Sequence, residues 1–404
     1  MTRILTTFFV ALICPYIYSQ EIVQWRGKNR DGIYFETGLL KKWPKNGPEM
    51  IWHYDKLGNG HTSAAVTKTT VYTTGEINEM GYLFAFDHNG KLLWKSEYGR
   101  EWTESWPGVR TTPLIYDKKL YIMSGFGKVV CMNTENGKIL WSVDLMKDYD
   151  GRNITWGVTE NLLIDENKLF CTPGGIEANV IAINRNTGEL IWKSKANREK
   201  SAYCSPALIK LPQRKIIVTM TANSIIGIDA STGEYLWRHE QTNEHSVHAN
   251  TPLYHDGYLF CLSGYGRGGV MLKLSENGNK ITKIWRNSSL DNRMGGVVLL
   301  NGRIYGAGDA SRKWVCLDWK TGKELFSSTE MTIGNLIYAD GKFYCYSQRG
   351  KVGLVEPAAN DFNVISTFQV PYGAAQHWAH LVIHNKRLYV RHGNSLMVYS
   401  ISAD

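Results

Sequence analysis

The side chains that could recognise a ligand are arginines, histidines, aromatic residues and uncharged polar residues that occur singly along the chain. Arginine favours carboxylate, sulfate or phosphate groups, because its guanidinium donates two parallel hydrogen bonds. Aromatic side chains on a polar face can stack on a sugar ring or a flat cofactor, or they can simply close a channel mouth. We therefore predict a site for an anionic or carbohydrate-like ligand, or for a protein partner. Its predicted members are His61, Trp106, Arg110, Trp156, Glu160, Asn161, Tyr203, His248, Asn250, Arg267, Arg293, Asn335, His377, Trp378 and His380.

The known sequence motifs give little indication of a metal-binding site or of a catalytic nucleophile. His380 and Cys204 are residue types that ligate transition metals, but lone residues that are far apart more often satisfy local hydrogen bonds. The sequence contains no Gly-x-Ser-x-Gly, no His-Glu-x-x-His and no phosphate-binding loop motif. The glycine-rich stretch 264–269 joins two strands and opens no helix, so it does not predict a phosphate site. We expect no metal ion.

A repeated hairpin positions these side chains. In each clear copy a polar turn ends in a glycine, and a tryptophan follows four residues later, as in Gly90 and Trp94. The glycine allows the positive φ that such a turn requires. A repeat of roughly 40–50 residues with four short strands is typical of a β-propeller. The closing aromatic residues are spaced by 41 to 51 residues and are Trp52, Trp94, Trp141, Trp192, Trp237, Trp285, Phe326 and Phe368.

These observations predict an all-β fold, an eight-bladed β-propeller of four-stranded antiparallel blades. Trp52 belongs to a last strand that has no hairpin before it, whereas residues 380–401 contain three strand-like runs without a closing tryptophan. Together they complete one blade, so we expect the ring to be closed by N- and C-terminal strands. Ring closure leaves only short strand edges exposed.

The chain divides into three segments. Residues 1–20 combine one arginine, a short apolar run and small residues, which indicates a signal peptide. Residues 21–48 form an N-terminal arm that we expect to pack across the ring edge, and residues 49–404 form a single propeller domain. Ile13 precedes Cys14, which disfavours a lipid anchor. We predict a periplasmic or secreted protein that has no transmembrane segment after signal removal.

The charge distribution and the cysteine positions argue against nucleic-acid binding and against disulfide bonds. The formal net charge is +9, and the basic residues are spread along the chain without a long Lys/Arg tract. This pattern does not predict nucleic-acid binding. Five of the cysteines that follow the signal segment occupy equivalent strand positions in non-adjacent blades, which lie too far apart for disulfides, and Cys204 is the exception. We therefore expect unpaired, buried cysteines.

The register of the repeats places the site on one face of the ring. The first strand of each blade should line the central channel, and the starts of these strands share a face with the loops that join second and third strands. These loops are long, as at residues 173–177, whereas the turns on the opposite face are as short as Asp256-Gly257. Long loops carry function more often than tight turns. We name these two sides the long-loop face and the short-turn face, and predict that the site lies on the long-loop face.

The repeat at residues 85–94, with variants at 182–192 and 227–237, resembles the pyrroloquinoline quinone (PQQ) repeat family. Quinoprotein dehydrogenases of that family bind PQQ and calcium on the propeller face and oxidise alcohols. For this chain the resemblance then implies Glu160 and Asn161 as calcium ligands, which suit a hard cation, and Asp309 as a base. Other members, such as the outer-membrane protein assembly factor BamB, are scaffolds without a cofactor.

One departure from the dehydrogenase pattern favours the scaffold class. Dehydrogenases of this type usually carry adjacent cysteines above the cofactor, and this sequence has no Cys-Cys pair. We therefore expect an exported binding or scaffold protein that acts through its long-loop face without a cofactor. The alternative is a PQQ- and calcium-dependent alcohol dehydrogenase.

Overall fold

Eight four-stranded antiparallel sheets form a ring in the computed structural model, which describes residues 22–358 and 360–404. Seven of the sheets use strands that are consecutive in the chain, so each is one blade of the repeat. The inner strands of a blade are almost fully buried, as at Ser224–Asp229, because neighbouring blades cover both of their faces. The outer strands are mostly exposed or half-buried, as at Ile139–Asp144. The predicted eight-bladed propeller is confirmed.

The strand bounds follow the repeat. A first strand, β1 (Met50–Tyr54), precedes the first complete blade. Blade 1 contains β2 (Ala65–Val66), β3 (Val71–Ile77), β4 (Met80–Phe86) and β5 (Leu92–Arg100). Blade 2 contains β6 (Leu114–Tyr116), β7 (Lys119–Met123), β8 (Lys128–Asn133) and β9 (Ile139–Asp144), and a short helix α1 (Leu145–Asp148) follows it. Blade 3 contains β10 (Leu163–Asp165), β11 (Lys168–Cys171), β12 (Val180–Asn184) and β13 (Leu190–Ser194). Blade 4 contains β14 (Ala207–Lys210), β15 (Lys215–Met220), β16 (Ser224–Asp229) and β17 (Tyr235–Glu240).

The second half of the ring repeats this plan. Blade 5 contains β18 (Leu253–His255), β19 (Tyr258–Ser263), β20 (Gly268–Leu274) and β21 (Ile281–Asn287). Blade 6 contains β22 (Val298–Leu300), β23 (Arg303–Gly308), β24 (Lys313–Asp318) and β25 (Glu324–Ser328). Blade 7 contains β26 (Gly334–Ala339), β27 (Lys342–Ser347), β28 (Lys351–Pro357) and β29 (Phe362–Gln369). Blade 8 contains β30 (Val382–His384), β31 (Arg387–His392) and β32 (Ser395–Ser400), and β1 is its outer strand.

Blade 8 joins the two ends of the described chain. Strand β1 pairs antiparallel with β32, so that Trp52 lies opposite Val398 and Tyr54 opposite Leu396. The register shifts between Met50 and Trp52, which marks a bulge at the start of β1. Closure of the ring by N- and C-terminal strands is therefore confirmed.

The closing tryptophans join neighbouring blades. The indole N–H of Trp52 donates to the carbonyl of His88 at 3.0 Å, and that of Trp192 donates to the carbonyl of Ala230 at 3.2 Å. The Trp52 ring also covers the turn glycine of blade 1, because a Cβ on Gly90 would lie 2.7 Å from the indole. Gly90 has a φ of +86°, so both the turn and the packing require glycine. The same type of indole hydrogen bond is made by Trp94, Trp141, Trp237 and Trp285.

The apolar core lies between the blades. One cluster combines residues of blades 2 and 3, such as Tyr121 and Ile181, and another combines blades 7 and 8, such as Leu354 and Val390. The described cysteines are free and buried, as the repeat register predicts; they are Cys131, Cys171, Cys204, Cys261, Cys316 and Cys345.

The N-terminal arm contacts the channel as well as the ring edge. Its backbone forms a bridge at Val23 with Ile115 of β6 and another at Ile33 with Tyr338 of β26. Because β6 and β26 are first strands of blades 2 and 7, the arm crosses the channel before it reaches the ring edge. The prediction that the arm packs across the ring edge did not include this crossing. Beyond the crossing, Trp43 packs against Phe368 of the outer strand β29.

Two arginines of the arm enter the channel. Arg26 donates to the carbonyls of Val297 at 2.7 Å and Leu336 at 3.2 Å, and Arg30 donates to that of Leu162 at 2.7 Å. Both side chains are almost fully buried. Burial lowers the pKa of each guanidinium to about 10. The arm therefore closes the channel from the short-turn face with backbone carbonyls as its main partners.

No helix within residues 22–358 and 360–404 is long and apolar enough to cross a membrane. The predicted signal peptide at residues 1–20 lies outside the described residues.

Candidate functional site

A closed set of hydrogen bonds surrounds the channel at the starts of the first strands. It joins every pair of neighbouring blades, and we name it the belt. Small hydroxyl and amide side chains supply most of the donors, because they can reach the backbone of the next blade. The belt bonds link Ser63 to Thr112, Thr112 to Asn161, Asn161 to Ser205, Cys204 to Asn250, Asn250 to Asn292, Asn292 to Gly334, Asn335 to Ala379 and Ser63 to His380.

The belt explains the three asparagines of the predicted site. The Oδ1 atom of Asn161 accepts from the Thr112 amide at 2.7 Å, and its Nδ2 donates to Ser205 at 2.9 Å. Asn250 and Asn335 donate to backbone carbonyls of the following blade. All three are nearly fully buried. Their observed role is therefore to join blades.

Glu160 and Asn161, the calcium ligands that the resemblance implies, use their side-chain oxygens in hydrogen bonds within the protein. Both carboxylate oxygens of Glu160 accept from Thr172, one from its amide at 2.9 Å and one from its hydroxyl at 3.1 Å. Burial raises the pKa of Glu160 to about 7, against the opposing effects of these hydrogen bonds and of Arg30. Among the described residues, no group of three or more His, Cys, Asp or Glu side chains is arranged to hold a metal ion. The oxygens that the resemblance assigns to calcium are engaged in protein contacts.

Asp309, the base implied by the resemblance to dehydrogenases, lies in a loop of blade 6 and forms an ion pair. Its carboxylate is 3.2 Å from Nε of Arg293. Burial raises the pKa of Asp309, and Arg293 opposes that shift. The neighbouring Asp291 is fully buried and accepts from the amides of Gly266 and Ala310. The arrangement therefore fixes loops of blades 5 and 6.

His380 is held on both ring nitrogens. Arg26 can only donate, so Nδ1 of His380 accepts from it at 3.0 Å, and Nε2 donates to the carbonyl of Met294 at 3.1 Å. Burial, followed by the charge of Arg26, lowers the pKa of His380 to about 3. Cys204, the other predicted transition-metal ligand, contacts the carbonyl of Asn250 at 3.4 Å. The structure therefore gives His380 and Cys204 separate roles in closing the channel.

His248 is a second fully buried histidine. Its Nε2 donates to the carbonyl of Ala222 at 3.2 Å, so Nδ1 accepts from the hydroxyl of Ser263 at 2.6 Å. Burial lowers its pKa to about 4. This neutral, satisfied ring does not reach the surface of the long-loop face.

Arg110, Trp156 and Tyr203 are in contact with one another. The Arg110 guanidinium donates to the Trp156 carbonyl, to the Tyr203 hydroxyl at 2.7 Å and to the Ser105 carbonyl at 2.9 Å. The Tyr203 hydroxyl also donates to the Trp156 carbonyl. Burial raises the pKa of Tyr203 to about 12 despite the neighbouring Arg110. Arg110 therefore ties together loops that arise between blades 1 and 4.

Next to this cluster, three aromatic side chains form what we name the aromatic rim: His61, Trp106 and Trp378. Their ring centroids are 4.9 Å apart for His61 and Trp378 and 5.3 Å apart for Trp106 and Trp378. Burial, followed by the charges of Arg110 and Arg391, lowers the pKa of His61 to about 3. Trp106 remains 51% exposed. The rim is the part of the predicted site that presents a large apolar surface to solvent.

The remaining predicted residues lie on both sides of the rim. His377 forms a 2.7 Å hydrogen bond with the Tyr346 hydroxyl and stacks on His392 at 3.7 Å. Burial lowers the pKa of His377 to about 4. Arg267 lies in the loop that precedes β20, at the other side of the long-loop face. The predicted site is therefore spread around the ring, and only some of its members are in contact.

Sequence reasoning missed several residues of the channel. Arg26 and Arg30 were assigned to an edge-packing arm, and Asn292 was not aligned with the belt. Asn292 stands several positions before the first strand of blade 6, so a fixed register does not find it. A test for polar residues that precede every first strand at variable distance would have included it.

Comparison with known proteins agrees with this architecture. The family model described as "Outer membrane protein assembly factor BamB" matches residues 79–328. The chain is 30% identical over 150 residues to BamB of Kangiella koreensis, which is 35% of each chain. It is 23% identical over 174 residues to the quinoprotein alcohol dehydrogenase PedH of Pseudomonas putida, 43% of this chain and 26% of that protein. The matches thus span about a third or less of these curated relatives.

A solved structure shows the same fold. The crystal structure of BamB from Moraxella catarrhalis superimposes with a TM-score of 0.58 at 14% identity, and the match covers 87% of this chain and 97% of that one. The predicted resemblance to PQQ-repeat propellers is confirmed. Because the family model matches more than half of the sequence, this chain belongs to the PQQ-repeat propeller family described as outer membrane protein assembly factor BamB.

Proposed function

We propose that this chain is an exported binding or scaffold propeller that holds a protein partner on its long-loop face. The family description and the BamB relative suggest that this partner takes part in outer-membrane protein assembly. The observation that carries the proposal is the half-exposed Trp106 of the aromatic rim. A large aromatic side chain in a fixed position is a typical centre of a protein–protein interface.

The loop that carries Trp106 is fixed at both ends. Glu101, at its start, accepts from the Tyr98 hydroxyl and from the Gly125 amide, each at 2.7 Å. Arg110, at its end, donates to the carbonyls of Ser105 and Trp106. The loop is therefore already ordered, and binding through Trp106 would lose little conformational entropy.

Photo-crosslinking in cells of the source organism tests this proposal. A photoreactive amino acid at position 106 should crosslink to an outer-membrane assembly protein, identified by mass spectrometry. The matched control is position 35, because Phe35 is also an exposed aromatic residue, at 76%, but lines a cavity on the short-turn face. Crosslinks from position 35 and none from position 106 would contradict the proposal.

The same pair of positions gives a functional test. Trp106→Ala should lower the abundance of outer-membrane β-barrel proteins, whereas Phe35→Ala should leave it unchanged. An equal effect of both substitutions would show that exposed aromatic area, and not the rim, is what matters.

The PQQ- and calcium-dependent dehydrogenase remains the alternative, because quinoprotein dehydrogenases are among the relatives. The engaged oxygens of Glu160 and Asn161 argue against it. We expect no alcohol-dependent dye reduction when the purified protein is mixed with PQQ and calcium. Dye reduction that is lost in Glu160→Gln would reverse this ranking.

A further inference from the structure

The surface between the outer strands of blades 4 and 5 carries more basic side chains than acids. His239 lies on β17 two residues after Trp237, whose indole packs onto blade 5, so His239 faces blade 5 as well. Arg286 lies on β21 one residue after Trp285, whose indole packs onto blade 6, so Arg286 faces blade 4. With Arg267 and Lys283, these two residues define what we name the basic groove.

The charges of the basic groove act on one another. Burial lowers the pKa of His239, and the charges of Arg286, Lys283 and Arg267 lower it further. Burial, followed by Arg267, lowers the pKa of Arg286. Glu240 is the acid that opposes both shifts. The like charges in this groove repel one another, and a bound anion would reduce that repulsion.

The arginines of this groove differ from the other arginines of the long-loop face. The terminal nitrogens of Arg110 donate to carbonyls, although its Nε is buried without a partner, and Arg293 is paired with Asp309. Within residues 22–358 and 360–404, the guanidinium groups of Arg267 and Arg286 make no hydrogen bond and no ion pair, and Nε of Arg267 is buried without a partner. Unlike Arg110, which has one unpaired nitrogen, these two guanidinium groups have no acceptor in the described part of the chain and are available to an acceptor from outside it.

We propose that the basic groove binds an acidic segment of the partner protein. This inference rests on the proposed function and adds the chemistry of the partner. Lys283 and Arg286 lie opposite Leu272 and Val270 across a bulge in β21, so they share a face and are separated by roughly 7 Å at about 3.3 Å per residue of β20. That length exceeds a single phosphate or carboxylate group and matches alternate acidic residues on one side of an extended segment. Both strands run toward the long-loop face, so the groove opens on the same face as the aromatic rim.

The test measures binding of a fluorescent oligoglutamate peptide by anisotropy. We expect the double variant Arg267→Gln/Arg286→Gln to bind about tenfold more weakly than the unmodified protein, and with a smaller salt dependence. The matched control, Lys91→Gln/Lys138→Gln, removes the same charge from exposed turns on the short-turn face and should bind normally. An oligoglutamine peptide of the same length should not bind.

A second readout reports on the groove itself. Bound carboxylates should raise the pKa of His239, measured by NMR titration of its ring protons, because they offset the arginine charges. Equal peptide binding by both double variants, or an unchanged His239 titration, would overturn the inference. Complete competition by inorganic phosphate at equal charge would also overturn it, in favour of a simple anion site.

The crosslink from position 106 separates the two proposals. If that crosslink keeps its yield and salt dependence in Arg267→Gln/Arg286→Gln, the acidic-segment inference is wrong and the proposed function stands. If position 106 crosslinks to no assembly protein in the unmodified chain, the proposed function fails, whatever the peptide does.

Discussion

At the short-turn mouth of the channel, Arg26 and Arg30 of the arm bond to backbone carbonyls of distant blades. At the long-loop mouth, aromatic rings contact each other, and Trp106 is half exposed. The first arrangement satisfies each of its acceptors inside the molecule, whereas the second leaves apolar surface in water. We conclude that buried polar groups around this channel hold the ring together, whereas the surfaces that we propose for recognition, the aromatic rim and the basic groove, lie outside that set of buried contacts.

The largest effect should come from the arm. Arg26→Met leaves the acceptors at Val297, Leu336 and His380 buried without their donor, which should cost on the order of 3–5 kcal/mol of unfolding free energy. Urea unfolding measures this. The control is Arg100→Met, an exposed arginine paired with Glu79, for which we expect less than about 1 kcal/mol. Equal losses of unfolding free energy in the two variants would mean that the buried hydrogen bonds of Arg26 stabilise the protein no more than an exposed ion pair does.

A pair of tryptophans sharpens the comparison. Trp52 is 9% exposed and closes the ring, so Trp52→Ala should lower the unfolding free energy by about 3 kcal/mol or more. Trp106→Ala should cost less than about 1 kcal/mol, because its ring is half in water. Thermal unfolding of both variants measures the difference. A rim variant that unfolds as readily as the closure variant would assign the rim a structural role.

The buried carboxyl near Arg30 predicts a pH dependence. The pKa of Glu160 rises from 4.5 to about 7 on folding, so its contribution to stability is complete below pH 4.5 and is lost as the pH rises through 7. The loss should be on the order of 2–3 kcal/mol, and Glu160→Gln should reduce it. Urea titrations at several pH values measure this. Glu104→Gln, at an exposed position, should leave the profile unchanged.

The smallest effect should come from the ion pair between Arg293 and Asp309. Arg293 is 40% exposed, so Arg293→Gln should change the unfolding free energy by about 1 kcal/mol or less. High salt should reduce the difference from the unmodified protein. A much larger loss of unfolding free energy would show that this pair stabilises the fold as strongly as the buried polar groups of the channel do.

Much of the fold could be predicted because the same hairpin pattern recurs along the chain. The turn glycine and the closing tryptophan mark each hairpin, and Trp52 without a hairpin marks the shared blade. The channel interior could not be predicted in the same way. Asn161 and Asn335 stand at equivalent positions of their blades, yet sequence alone does not show whether such an amide faces a ligand or the next blade. Arg26 reaches residues about 270 to 350 positions away, and no local pattern records that contact.

Closure of blade 8 has a consequence for the order of assembly. During synthesis β1 emerges before the rest of the ring, but its partner β32 emerges last, after more than 300 intervening residues. Seven sheets can form from neighbouring strands as these emerge. Strand β1, in contrast, stays unpaired, with the backbone hydrogen-bonding groups of both its edges exposed, until β32 is synthesised. Any factor that shields nascent chains should therefore be needed longest at residues 50–54, and premature release should favour strand exchange between molecules.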